Sequence, residues 1–140
     1  MTSKPIICAL AVAGMSLSSR PAAAAVYTLR AASTTVTMAD GTQVPMWGFG
    51  LTNEPTVSIP GPVLEVPPGD TTLTIHLTNE LPEPVSIVIP AIPSPLTPVW
   101  NDGTTGARTN LAQRAVSFTH VTQPGETVVY EWSNVQPGSY

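Results

Sequence analysis

Sixteen of the 140 residues are proline. An ordinary protein carries about 5%, and each proline fixes φ and removes a backbone donor. That density excludes a helical bundle or a coiled coil and favours short extended segments separated by turns. The chain is also 42% hydrophobic and only 10% charged, against roughly 25% charged in typical domains. It is therefore no disordered polar tail, and its length suits one domain. Nine carboxylates outnumber five cations, so no nucleic-acid partner is expected, because such binders need a basic face.

The first 25 residues read as an export signal. Lys4 supplies a positive start, residues 6–17 form an apolar run broken by Gly14 and Ser16, and small residues follow, ending in four alanines at 22–25. This is the charged, apolar, small-residue order of a signal peptide. The apolar run is shorter than the roughly 20 residues a spanning helix needs. Residues 1–25 are thus assigned to a signal peptide and residues 26–140 to one exported domain, periplasmic or extracellular, with no membrane attachment after cleavage. Cys8 lies in the signal, so the exported part has no cysteine and no disulfide. Its cations are Arg30, Arg108 and Arg114, and it has no lysine. Such a domain rests on its hydrophobic core alone.

The remainder reads as strands and turns. Residues 26–38 carry Thr, Val and Ala without proline, and Asp40-Gly41 signals a hairpin returning through 44–49, weakened by Pro45. Turns are expected at Pro60-Gly61-Pro62 and Pro67-Pro68-Gly69-Asp70, with a short extended piece at 63–66 between them. Residues 71–79 are the clearest strand, with Leu73, Ile75 and Leu77 alternating against Thr72, Thr74, His76 and Thr78. Residues 85–89 read as a buried strand. Residues 91–113 read as a long loop, of the kind that often carries function. Residues 115–120 and 127–132 are expected to pair around Gln123-Pro124-Gly125, with Val128, Tyr130 and Trp132 on one face. Trp47 and Trp132 are placed in the core, and Trp100 in the loop is the aromatic that offers a surface contact. Short strands at regular spacing indicate an antiparallel β-sandwich or barrel.

Two blocks are more specific. Residues 60–87 carry Pro60, Gly61, Pro62, Gly69, Asp70, Thr78, Asn79, Leu81, Pro82, Pro84, Ser86 and Ile87 in order, and residues 122–140 carry a Pro-Gly turn, a Tyr-containing strand and a closing Pro-Gly-x-Tyr. In these features the chain resembles the N-terminal plastocyanin-like domain of multicopper oxidases. The resemblance implies an all-β, cupredoxin-like antiparallel β-sandwich of Greek-key type, and copper as cofactor with oxidoreduction as activity. Typical members continue after Ser-Ile with His-Trp-His-Gly, whose two histidines share one side of a strand and bind adjacent coppers. Here those positions hold Val88, Ile89, Pro90 and Ala91. The family's second histidine pair follows Pro-Gly-x-Tyr, where this sequence stops at Tyr140. The resemblance is thus to a divergent subgroup, expected to lack the last strand and to leave an open sheet edge that pairs with itself or a partner strand.

The candidate metal ligands are His120, His76 and Met46, with Met38 a further thioether. A blue-copper centre needs a Cys thiolate, which the exported chain lacks. His76 falls on the polar face of its strand and reads as an exposed titratable side chain. His120 follows Val116 and Phe118 at period two and reads as a hydrogen-bonded histidine at the core edge. Filling gaps in the core is the ordinary use of the methionines. No Gly-x-Ser-x-Gly elbow supports a hydrolase. No catalytic or cofactor-binding residue is assigned, copper enters through the resemblance alone, and catalysis by this chain alone is not expected. The alternative is an exported binding or structural β-sandwich that makes contacts through the 91–113 loop.

Overall fold

The computed structural model describes residues 24–90, 92 and 97–140. Apart from residues 24 and 25, the signal assigned to 1–25 lies outside the described residues, as do residues 91 and 93–96 of the loop. Among the described residues six strands form: β1 (Ala25–Thr37), β2 (Gln43–Leu51), β3 (Thr72–Asn79), β4 (Val99–Trp100), β5 (Ala115–Ser117) and β6 (Thr127–Ser133). They make a four-stranded sheet in the order β2-β1-β3-β6 and a two-stranded sheet of β4 and β5. The architecture is the expected all-β, cupredoxin-like sandwich. It is not wholly antiparallel, because β1 runs parallel to β3 while the other strand pairs are antiparallel.

The hairpin from β1 to β2 closes where Gly41 takes φ +86° and Asp40 Oδ1 accepts from Thr42 N at 2.9 Å. Pro45 is tolerated because β2 is an edge strand, where a missing donor breaks no ladder. β3 lies in the middle of the sheet, and its alternation becomes alternate burial: Leu73, Ile75, Leu77 and Asn79 are buried, and the residues between them are half-buried. The register puts Leu73 beside Trp132, Ile75 beside Tyr130 and Leu77 beside Val128. Ala25, Leu29 and Ala31 of β1 join them, and Tyr130 and Trp132 have no exposed surface.

Asn79 ties the sheet to the second layer. Its amide donates to Glu83 O at 2.8 Å and Thr122 O at 3.0 Å, and its Oδ1 accepts from Leu81 N at 2.9 Å. The Pro124-Gly125 turn meets Asn79 through a glycine bulge, with Gly125 N donating to Asn79 O at 2.7 Å and Asn79 N to Glu126 O at 2.9 Å. Segment 63–66 is held by Tyr27, whose hydroxyl donates to Glu65 O at 2.6 Å and accepts from Glu65 N at 3.0 Å. The Thr-Asn and Pro-Gly elements of the sequence thus act as fasteners between layers.

Two expected strand assignments are corrected. Residues 85–89 form no strand, and only Val85 bridges, to Thr122. Val88 is exposed, and Val85, Ile87 and Ile89 are half-buried against the core. Residues 115–120 do not pair with 127–132 either. β5 pairs with β4 and β6 with β3, because β3 offers Leu73, Ile75 and Leu77 as a matching apolar face. A local hairpin would offer β6 only Val116 and Phe118, which stay 68% and 70% exposed. The 91–113 loop is partly structured through β4.

Candidate metal centre

His120 lies beyond β5, where the chain crosses back towards β6. Its ring stacks on Tyr130 with centroids 4.3 Å apart and planes 27° from parallel. Tyr130 OH donates to His120 O at 3.0 Å and lies 2.9 Å from Thr122 Oγ1. Thr119 Oγ1 spans Ile87 O and His120 O, both at 3.2 Å. Nε2 of His120 is buried without a hydrogen-bond partner. Burial therefore holds the imidazole below its ordinary pKa near 6.5, opposed by a backbone hydrogen bond to Val129. Burial raises the Tyr130 phenol above 10, opposed by Thr122. The period-two pattern placed Tyr130 inside; a buried tyrosine needs a hydroxyl partner, but nothing in the sequence pointed to Thr122 and His120 as that partner set. The indole Nε1 of Trp132, 6.1 Å along the same stack, is also buried without a partner.

The other candidates lie elsewhere. His76 sits opposite Val129 in the β3–β6 ladder, on the face away from Ile75 and Tyr130. His76 and His120 are therefore on opposite sides of the sheet. Met46 pairs with Thr34 and His76 with Thr28, which separates them by six residues of β1, about 20 Å. Among the described residues no three His, Cys, Asp or Glu side chains come together as a metal group. Met38 and Met46 are exposed rather than core fillers. Trp47 is also a correction: it is 53% exposed and, with Ser33, Pro45 and Met46, lines an open pocket of about 230 Å³. Trp100 is half-buried, and its Nε1 donates to Gly106 O at 2.9 Å, so its polar tip is used within the loop.

Val88 and Pro90 are both exposed, on the irregular segment beside the sheet. Val88, with Leu29, Phe49, Leu64, Ile75 and Ile87, lines an open apolar cleft of about 260 Å³. The polar side chain there is Ser86, which is already bonded to Ser117 Oγ at 3.0 Å. A hydrocarbon side chain and an imide ring offer no donor to a metal. Among the described residues, the buried imidazole nitrogen without a hydrogen-bond partner is Nε2 of His120, whose ring stacks on Tyr130, and no metal group of three forms around it. The described residues do not fit a copper centre.

A search of curated protein sequences finds no match. A comparison with protein families finds one, described as multicopper oxidase, over residues 30–140. That match spans well over half of the chain and both sequence blocks, so the chain belongs to the multicopper oxidase family.

Proposed function

We propose that this chain is an exported, non-catalytic domain of the multicopper oxidase family that builds no copper centre of its own. One observation carries this reading: the positions where typical members hold their first histidine pair are Val88 and Pro90, while His76 and His120 lie on opposite faces of the sheet. The scaffold that would place the ligands is kept and the ligands are not. Leu111 favours a binding role through the 91–113 loop. It is 89% exposed on a segment pinned by Arg108 to Leu111 O at 2.6 Å and by Thr109 N and Asn110 N to Gln113 Oε1 at 2.7 and 3.1 Å.

Copper titration by calorimetry and electron paramagnetic resonance tests the reading, with Cu(II) and with Cu(I) under reducing conditions. The expected result is no stoichiometric uptake in either state. One tightly bound copper per chain would overturn it. The intact mass of the protein in the exported fraction of its native cell tests export: the chain is expected to begin near residue 26, and retention of residues 1–25 on a cytoplasmic protein would refute that part.

A further inference from the structure

The inner face of the β1–β2 hairpin runs on beyond the core. On β1 that face carries Leu29 and Ala31, both buried, and then Ser33, Thr35 and Thr37, all exposed. On β2 it carries Leu51 and Phe49, packed against the core, and then Trp47, Pro45 and Gln43, all exposed. The register sets Ser33 beside Trp47, Thr35 beside Pro45 and Thr37 beside Gln43. Two rows result. One is hydroxyl throughout; the other is an indole, a pyrrolidine ring and a carboxamide. Facing side chains on paired strands start about 5 Å apart, so one small ligand reaches both rows.

Trp47 is 53% exposed, and with Ser33, Pro45 and Met46 it lines the open pocket of about 230 Å³. Among the described residues no hydrogen bond engages the side chains of Ser33, Thr35 or Trp47. Further along, Gln43 Nε2 donates to Thr37 Oγ1 at 3.1 Å. Neither row contains an ionisable side chain, although residues 26–140 hold nine carboxylates and three arginines. The back of the hairpin is held firmly. Segment 56–58 lies so close to β2 that a Cβ on Gly48 would stand 2.7 Å from Ser58 O, and one on Gly50 2.7 Å from Thr56 O. The two rows are therefore in place before any ligand arrives.

We propose that this shelf binds a neutral saccharide, with one sugar ring against Trp47 and its hydroxyls on Ser33 and Thr35. Size and openness exclude an apolar molecule. Sites that take drug-sized ligands enclose roughly 300 Å³ or more and bury most of the ligand; this pocket is smaller and open, so its occupant keeps one side in water. A sugar ring with equatorial hydroxyls has an apolar C–H face and a polar rim. The face matches the flat surface of an indole, and the rim matches hydroxyls, which both donate and accept. The uncharged rows match an uncharged ligand, because an ion would lose hydration there without a countercharge. The shelf is built from β1 and β2 alone and makes no use of the 91–113 loop.

Calorimetric titration of the purified protein with cellohexaose and with chitohexaose, both neutral chains of equatorially substituted rings, tests the proposal. The expected result is one site per chain for at least one of them, with a blue shift of tryptophan emission. Trp47→Ala weakens binding about tenfold or more, and Ser33→Ala about fivefold. Trp47→Phe keeps a flat ring and gives an intermediate affinity. Trp100→Phe, which alters an indole already bonded to Gly106 O, binds like the parent. Melting curves that coincide with the parent's show that the variants at these exposed positions are folded. Failure of both saccharides to bind the parent would overturn the proposal, as would unchanged affinity in Trp47→Ala. So would tighter binding of polygalacturonate, an anionic saccharide, than of either neutral chain. Concentration-dependent sedimentation that Trp47→Ala abolishes would assign the shelf to a second copy and overturn it too.

Discussion

The central block of the sandwich and the segment at 85–90 carry adjoining parts of one family pattern, yet the structure uses them in opposite ways. In the block, Asn79, Tyr130 and Trp132 are fully buried, and the polar atoms of Asn79 and Tyr130 are bonded across layers. In the segment, Val88 and Pro90 are exposed, and the backbone joins the fold through the Val85–Thr122 bridge and the bond from Thr119 Oγ1 to Ile87 O. Where typical relatives place ligands, this chain has side chains that neither bind metal nor pack. Val85, Ile87 and Ile89 still pack against the core, whereas a change of residue at the exposed Val88 and Pro90 costs the fold little. A fold and the site grafted on it can part company.

That contrast can be broken by substitution. The largest effect is expected at Trp132→Ala, which empties a fully buried site beside Leu73 and should cost about 3–5 kcal/mol. Such a loss is most of the stability of a marginal domain, so urea unfolding should show a much lower midpoint or no folded baseline. A loss below 1 kcal/mol would mean that the inner face is not the core. Asn79→Ala comes next. It strips partners from Glu83 O, Thr122 O and Leu81 N, and leaving such groups unsatisfied should cost about 2–3 kcal/mol. Hydrogen exchange should then rise at 80–83 and 122 before the rest of the sheet; uniform exchange across the sheet would contradict the fastener role. Smallest is Met46→Ala, at an exposed position of an edge strand, where the change should stay within about 0.5 kcal/mol. A larger loss would show that the hairpin tip is covered in solution.

Much of the scaffold was legible beforehand. Hydrophobic alternation placed Leu73, Ile75, Leu77, Tyr130 and Trp132 on inner faces, and all five are buried. The turns at Gly41, Gly69 and Gly125 each use positive φ, at 86°, 96° and 79°, a conformation that glycine adopts without steric cost. The failures are as instructive. Trp47 has the parity of an inner residue, since it pairs with Ser33 two places beyond Ala31. It is nonetheless exposed, because period two says which way a side chain points and not how far the opposite layer extends. Alternation places His76 on the polar face of its strand, where it pairs with Val129; it places His120 on the face of Val116 and Phe118, yet those two are exposed while His120 stacks on the buried Tyr130.

The sequence alone determined the class of fold, through proline density and period-two patterning. Those are properties of residue type and local spacing, which act wherever the chain runs. The tertiary structure decided which strands pair, that β1 lies parallel to β3, and that His120 stacks on Tyr130 rather than on its sequence neighbours. The reason is physical. Backbone N–H and C=O groups are the same in nearly every residue, so a ladder carries no address of its own. Pairing is settled by which combination of faces buries the most apolar surface at once, and that is a property of the whole sandwich.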